Sequence, residues 1–153
     1  MTHRTRIKIC GLTRPQDVQS AVTAGADAVG FVFYPKSPRY IDAAAAGRLI
    51  ATIPPFVTPV GLFVNATPTE VQAIVAQAPV SLLQFHGDET PQQCAAIAQA
   101  VNRPFIRAIR VKEGMQAADL LEYESEYRAA STLFTGLLLD AFVDSYGLSL
   151  IHI

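Results

Sequence analysis

Cysteine, long apolar stretches, runs of one charge and glycine-rich phosphate loops are all scarce in this chain of 153 residues, and each shortage excludes something. Lys and Arg number 12 against 13 Asp and Glu, and no basic run occurs. A formal net charge of −1 gives no electrostatic reason to expect nucleic acid or an anionic membrane as partner. The basic start Met1-Thr-His-Arg-Thr-Arg6 is followed by an apolar stretch that breaks at Gly11. That is too short for a signal-peptide core or a membrane span, so a soluble cytoplasmic protein is expected. Only two cysteines are present, Cys10 and Cys94, and their separation in such a chain points to free thiols. No G-x-G-x-x-G follows the first apolar run, which continues Cys10-Gly-Leu-Thr13 instead, and this disfavours a dinucleotide-binding sheet.

What the chain does contain is apolar residues, half of the total, enough to bury the core of one domain. Arg6 to Cys10 reads as a strand, and Thr13-Arg14-Pro15-Gln16 as a capping box that opens a helix with Pro in its first turn. Val18, Ala21 and Val22 continue that helix to Gly25. Ala28 to Phe33 is nearly all apolar, as in a parallel strand covered on both faces, and runs into the rigid basic loop Tyr34-Pro-Lys-Ser-Pro-Arg-Tyr40. Asp42 caps a second helix with Ala46, Leu49, Ile50 and Ile53 inward, stopped by Pro54-Pro55.

The same grammar repeats. Val57 to Val64 is a strand followed by the capping box Thr67 to Glu70; Ser81 to Phe85 is another, followed by Thr90 to Gln93. Phe105 to Val111 precedes a more polar helix around Ala117 to Tyr127, and Leu133 to Leu139 ends in Asp140. Six strand starts near 7, 28, 59, 82, 105 and 136 mean βαβ units and a parallel sheet, either a closed barrel or an open doubly wound one. Polar or reactive groups at several strand ends, Cys10, Asn65, His86 and Asp140, favour a barrel whose upper face is a site.

In an extended strand Lys8 and Cys10 share one face and Ile7 and Ile9 the other, which holds a thiol at a strand's carboxyl end two residues from an ammonium. Core packing remains an equal reading of Cys10. Cys94 falls in the helical stripe Cys94, Ile97, Ala98, Val101 and reads as a small core hydrophobe. On local sequence Asp140 reads best as a cap, and His86-Gly-Asp-Glu89 as a turn with a helix cap at Asp88 and Glu89. Arg39 reads as a loop cation restrained by Pro35 and Pro38, and Lys8 as half of an interior pair.

Taken in order and spacing, Lys8-Ile-Cys-Gly-Leu-Thr13, Gly25 to Tyr40, Gln84-Phe-His-Gly-Asp-Glu89 and Leu138-Leu-Asp-Ala141 resemble the phosphoribosylanthranilate isomerases. The resemblance runs from about Arg6 to Gly147. It implies a (β/α)8 TIM barrel enzyme of tryptophan biosynthesis that uses neither metal nor cofactor. The implied reaction is an Amadori rearrangement of N-(5-phosphoribosyl)anthranilate to 1-(2-carboxyphenylamino)-1-deoxyribulose 5-phosphate. It further implies Cys10 as general base, Asp140 as general acid and Arg39 as the grip on the anthranilate carboxylate; His86 and Lys8 are additional candidates for substrate binding. Ring opening needs a proton on the furanose oxygen, and the iminium that results must lose one from C2. One acid and one base can do both, each worth ~10²–10⁴-fold. A free thiol titrates near ~8.5 and must be partly thiolate to serve, while a carboxylic acid must keep its proton above its usual ~3.9.

One departure stands out. The family pattern continues past the Asp140 loop with a glycine-rich turn, a seventh and an eighth βα unit, and the phosphate site those loops build. Here Asp144-Ser-Tyr-Gly147 is followed by Leu-Ser-Leu-Ile-His-Ile153. The expectation is therefore one incomplete barrel domain over 1–147 with about six βα units, an atypical end at 148–153, and open sheet edges that invite self-association. Two function classes follow: an isomerase, or an inactive fragment of one that lacks the phosphate-binding units and turns over little or nothing.

Overall fold

The computed structural model describes residues 4–141. The expected domain end at Gly147 and the atypical segment 148–153 lie outside the described residues. Six strands form one parallel sheet in the order β1-β2-β3-β4-β5-β6, and a helix follows each of the first five. The strands are β1 Lys8–Cys10, β2 Ala28–Val32, β3 Thr58–Phe63, β4 Leu82–Phe85, β5 Phe105–Val111 and β6 Phe134–Ala141. The helices are α1 Pro15–Thr23, α2 Ala43–Ile50, α3 Pro68–Gln77, α4 Pro91–Val101 and α5 Ala117–Ala130. Strand order never reverses, so the doubly wound alternative is gone and the sheet curls as a half-barrel. Among the described residues β1 pairs with β2 alone and β6 with β5 alone, so the seam expected between first and last strand is open.

The two faces of the sheet do different work. Val29, Phe31, Phe63, Leu83, Phe85, Phe105 and Phe134 pack with Val18, Ala46, Leu49, Val71, Ile97 and Ala98 of the helices in one core. Phenylalanines at matching levels form a ladder across it: Phe33 to Phe63 at 5.4 Å between ring centres, Phe63 to Phe85 at 6.4 Å, Phe85 to Phe105 and Phe105 to Phe134 at 5.5 Å. Edge-on and tilted pairs of this sort add ~0.5–1.5 kcal/mol each beyond burial. Alternation turns the other set inward: Lys8 and Cys10, in register with Ala28 and Gly30, then Val60, Leu62, Gln84, Arg110 and Asp140.

Caps set where each helix starts, and therefore where each strand-end loop is held. The Asp42 side chain accepts from Ala45 N at 2.8 Å, and the boxes Thr67 with Glu70 and Thr90 with Gln93 both form. The box expected at Thr13 does not. Arg14 takes the cap position of α1 with no side-chain bond to the backbone, because its guanidinium pairs with Asp17 at 2.7 and 2.8 Å and Pro15 supplies the first helical residue. Two boundaries also shift. Helix α2 ends at Ile50, before the expected Ile53, and β6 continues through Asp140 to Ala141.

Candidate active site

At the carboxyl end of β1 the chain turns at Gly11, whose φ of +84° is the left-handed region that favours glycine. The Gly11 and Leu12 amides both donate to Gly30 O on β2, at 2.8 and 3.1 Å. Gly30 itself is required by closeness: a Cβ there would lie 2.8 Å from Cys10 Sγ and 3.2 Å from its Cα. The thiol occupies the room that the neighbouring strand leaves by having no side chain.

The loop after β2 folds back on this point. Ser37 N donates to Tyr34 O at 2.9 Å, and Ser37 Oγ accepts from Arg39 N at 3.1 Å, so the turn between the two prolines is fixed from within. Arg39 is thereby aimed across the strand end, where its Nη1 donates to Cys10 O at 3.1 Å and its stem fills the space above Gly11. Among the described residues Arg39 Nη2 is buried without a hydrogen-bond partner, and so is Lys8 Nζ, one pleat below Cys10. The interior pair considered for Lys8 is therefore not formed. Two buried cationic donors without acceptors on one strand end suit an anionic ligand.

A second group stands at the ends of β4 and β6. Gln84 Nε2 lies 3.3 Å from His86 Nδ1, and His86 Nε2 lies 3.1 Å from Asp140 Oδ2. His86 and Asp140 are only 5% and 9% exposed, which removes the solvent that would otherwise compete for their bond. Burial holds the His86 imidazole below its ordinary pKa; the Asp140 carboxyl opposes this, and Arg110 and Arg107 add to it. Asp140 is thus one end of a buried chain of side chains.

Glu89 needs a correction as well. It is not mainly a helix cap: 5% exposed, it accepts from Asn65 N at 2.6 Å and Gly87 N at 2.9 Å and pairs with Arg107 Nη1 at 2.8 Å. Arg107 also donates to Gly87 O at 2.7 Å and to the Tyr123 hydroxyl at 3.2 Å, while the Tyr127 hydroxyl donates to Glu89 O at 2.9 Å. Asn65, at φ 52°, accepts from Asp88 N at 2.7 Å. This knot fixes the loop that carries His86. Sequence reasoning missed it, although Arg107 was a visible signal: a cation at a helix-facing position of an apolar strand must have a buried partner.

Four of the five expected site residues thus fall into two pairs, Cys10 with Arg39 at the end of β1 and His86 with Asp140 at the ends of β4 and β6, with Lys8 one pleat below Cys10; no direct bond joins the pairs. Cys94 is apart from both, fully buried in the core with its thiol pushed up to about 12 by burial, and neither cysteine is in a disulfide. Among the described residues no group of three or more His, Cys, Asp or Glu is placed to hold a metal ion, and no helix is long and apolar enough to cross a membrane.

Comparisons with known proteins point one way. A sequence profile described as N-(5'phosphoribosyl)anthranilate (PRA) isomerase matches residues 7–145. A relative in Herminiimonas arsenicoxydans, named N-(5'-phosphoribosyl)anthranilate isomerase, is 72% identical over 147 residues, 96% of this chain and 65% of its own. One of the same name in Ralstonia nicotianae is 55% identical, over 95% of this chain and 60% of its own. The chain therefore spans less than two thirds of the length of these curated relatives. The crystal structure of phosphoribosyl anthranilate isomerase from Thermotoga maritima superposes with a TM-score of 0.79 at 38% identity, covering 94% of this chain and 65% of that one. A second solved isomerase, in complex with reduced 1-(o-carboxyphenylamino)-1-deoxyribulose 5-phosphate, gives 0.77 at 38% identity, covering 91% of this chain and 66% of that one.

Proposed function

Since the chain belongs to the phosphoribosylanthranilate isomerase family, we propose that it catalyses that family's Amadori rearrangement, with Asp140 as general acid and Cys10 as general base. Asp140 protonates the furanose oxygen as the C1–O bond breaks, which leaves an iminium at C1. Cys10, as thiolate, then takes the proton from C2, and the C–H electron pair forms the C1–C2 double bond as the C1=N π pair returns to nitrogen, giving an enaminol whose tautomerisation yields the ketose. Arg39 grips the anthranilate carboxylate through its unpartnered Nη2, and Lys8 offers its unpartnered ammonium to the substrate from the same face. His86 serves by holding Asp140 rather than by gripping substrate directly. The observation that carries this reading is the buried His86–Asp140 bond at 3.1 Å, on the same inner face as the thiol.

Residues 1–147 are taken as one barrel domain acting in the cytoplasm, without nucleic acid or membrane. Exposed Ile7 and Ile9 at one edge strand and Leu139 at the other favour association of copies through these edges. The test is direct: the purified 153-residue chain is given N-(5-phosphoribosyl)anthranilate and the loss of anthranilate-type fluorescence is followed. Turnover with kcat/KM of about 10⁴ M⁻¹s⁻¹ or more, or rescue of an isomerase-deficient tryptophan auxotroph, is the expected result. No turnover with retained anthranilate binding would favour the second reading, an inactive fragment.

A further inference from the structure

We propose that Gln84 is a positioning residue that fixes the tautomer of His86, and that this keeps the acid proton of Asp140 on the oxygen facing the substrate. The proposal rests on the proposed function for its consequence, though not for its geometry. Gln84 presents its amide nitrogen to His86 Nδ1 at 3.3 Å. An amide nitrogen can only donate, so Nδ1 must accept and cannot carry a proton. In a neutral ring the single proton is then on Nε2, which donates to Asp140 Oδ2 at 3.1 Å.

The orientation of the amide is itself constrained. Gln84 is fully buried, and its Oε1 has no hydrogen-bond partner among the described residues. Turning the amide over would place Oε1 at the ring and leave an NH2 with two donors in that same unpartnered space, a worse outcome than one unmet acceptor. The charge state of the ring follows from its setting. His86 is buried, and the charged groups acting on it are Asp140 on β6 and the cations Arg107 and Arg110 on β5; burial and the two cations outweigh the carboxyl and favour the neutral form.

The consequence concerns where the Asp140 proton resides. With Nε2–H donating into Oδ2, a protonated Asp140 carries its hydrogen on Oδ1, the oxygen left for the furanose. With the other tautomer, a bare Nε2 would accept that hydrogen, and the acid would be tied to the imidazole instead of the substrate. Gln84 thus acts on proton delivery through His86, without touching the reacting atoms.

Nitrogen-15 NMR of the ring, recorded on the unaltered chain with labelled histidine, reads the tautomer without any need for turnover. The proposal expects Nδ1 unprotonated and Nε2 protonated for His86; a protonated Nδ1 would overturn it, whatever the activity assay shows. The variant Gln84→Met, similar in length but with no donor, should lose the single tautomer. With N-(5-phosphoribosyl)anthranilate it should lose about 10–100-fold in kcat, part of what general acid catalysis supplies, with KM within about threefold. A Gln84→Met protein with the unaltered ring pattern, or with wild-type kcat, would also overturn the proposal. If the variant fails to fold, the spectrum of the unaltered chain decides alone. Failure of the functional reading would show separately, as no turnover by a chain whose His86 carries the expected tautomer.

Discussion

The β1–β2 end of the sheet carries three of the candidate site residues and the β4–β6 end two, and they are built on opposite plans. At the β1–β2 end, space and unmet charge dominate: glycines at 11 and 30 make room for a guanidinium and a thiol, and Arg39 Nη2 and Lys8 Nζ have no partner among the described residues. At the β4–β6 end nearly every polar group is paired. Glu89, Arg107, Asn65 and the two tyrosines tie the loop down, and Gln84, His86 and Asp140 form a chain above it. Under the proposed function the first end receives an anion, and donors left unpaired there suit such a ligand. An end that must deliver a proton along one direction needs its donor oriented beforehand.

Four substitutions and one change of pH break this contrast, in descending order of effect. Cys10→Ala and Asp140→Asn should each remove most turnover, on the order of 10²–10⁴-fold in kcat with little change in KM, because each deletes a proton-transfer group. Steady-state kinetics on N-(5-phosphoribosyl)anthranilate checks this. Wild-type kcat in Cys10→Ala would return that thiol to core packing. Glu89→Leu should cost stability, about 3–5 kcal/mol by urea unfolding, since Arg107 would remain buried with its charge unpaired. The same change at the other end has no counterpart: Arg39→Met should leave the unfolding midpoint nearly unmoved and weaken binding by about 1.5–3 kcal/mol, read as a raised KM or a raised Kd for anthranilate.

The smallest effect is one of pH. The folded state holds His86 below its unfolded value, so the unfolded chain binds more protons and stability rises with pH through this window. The contribution is fully present above the ordinary value of about 6.5 and is lost as pH falls through the lowered folded one. Urea midpoints measured down the acid side should fall less steeply for His86→Asn than for the unaltered chain.

The sequence made the architecture legible because each βα unit carries local punctuation. Asp42, Thr67 and Thr90 sit where caps should, and all three bind the backbone as expected. Thr13 failed because a neighbouring Arg14–Asp17 pair offered a competing start, a side-chain preference that capping grammar does not weigh. The candidate site was legible as individual residues, Cys10, Arg39, His86, Asp140 and Lys8, through the family's motifs. Their partners were not. Arg107 with Glu89 is a contact between β5 and the loop after β4 that depends on register and burial, which no local pattern encodes, whereas Gln84 with His86 is a contact along one strand face. Helix-facing Phe85 between Gln84 and His86 was the available clue, since residues two apart on a strand share a face.

Under the proposed function the two ends serve successive steps on one substrate, acid first at β6 and base second at β1. The most direct measurement is kcat for the double variant Cys10→Ala/Asp140→Asn against the two single variants and the unaltered chain. Sequential steps are limited by the slower one, so the account predicts that the double variant is about as slow as the slower single variant. Losses that multiply, with the double variant slower by the full product of the two, would contradict it.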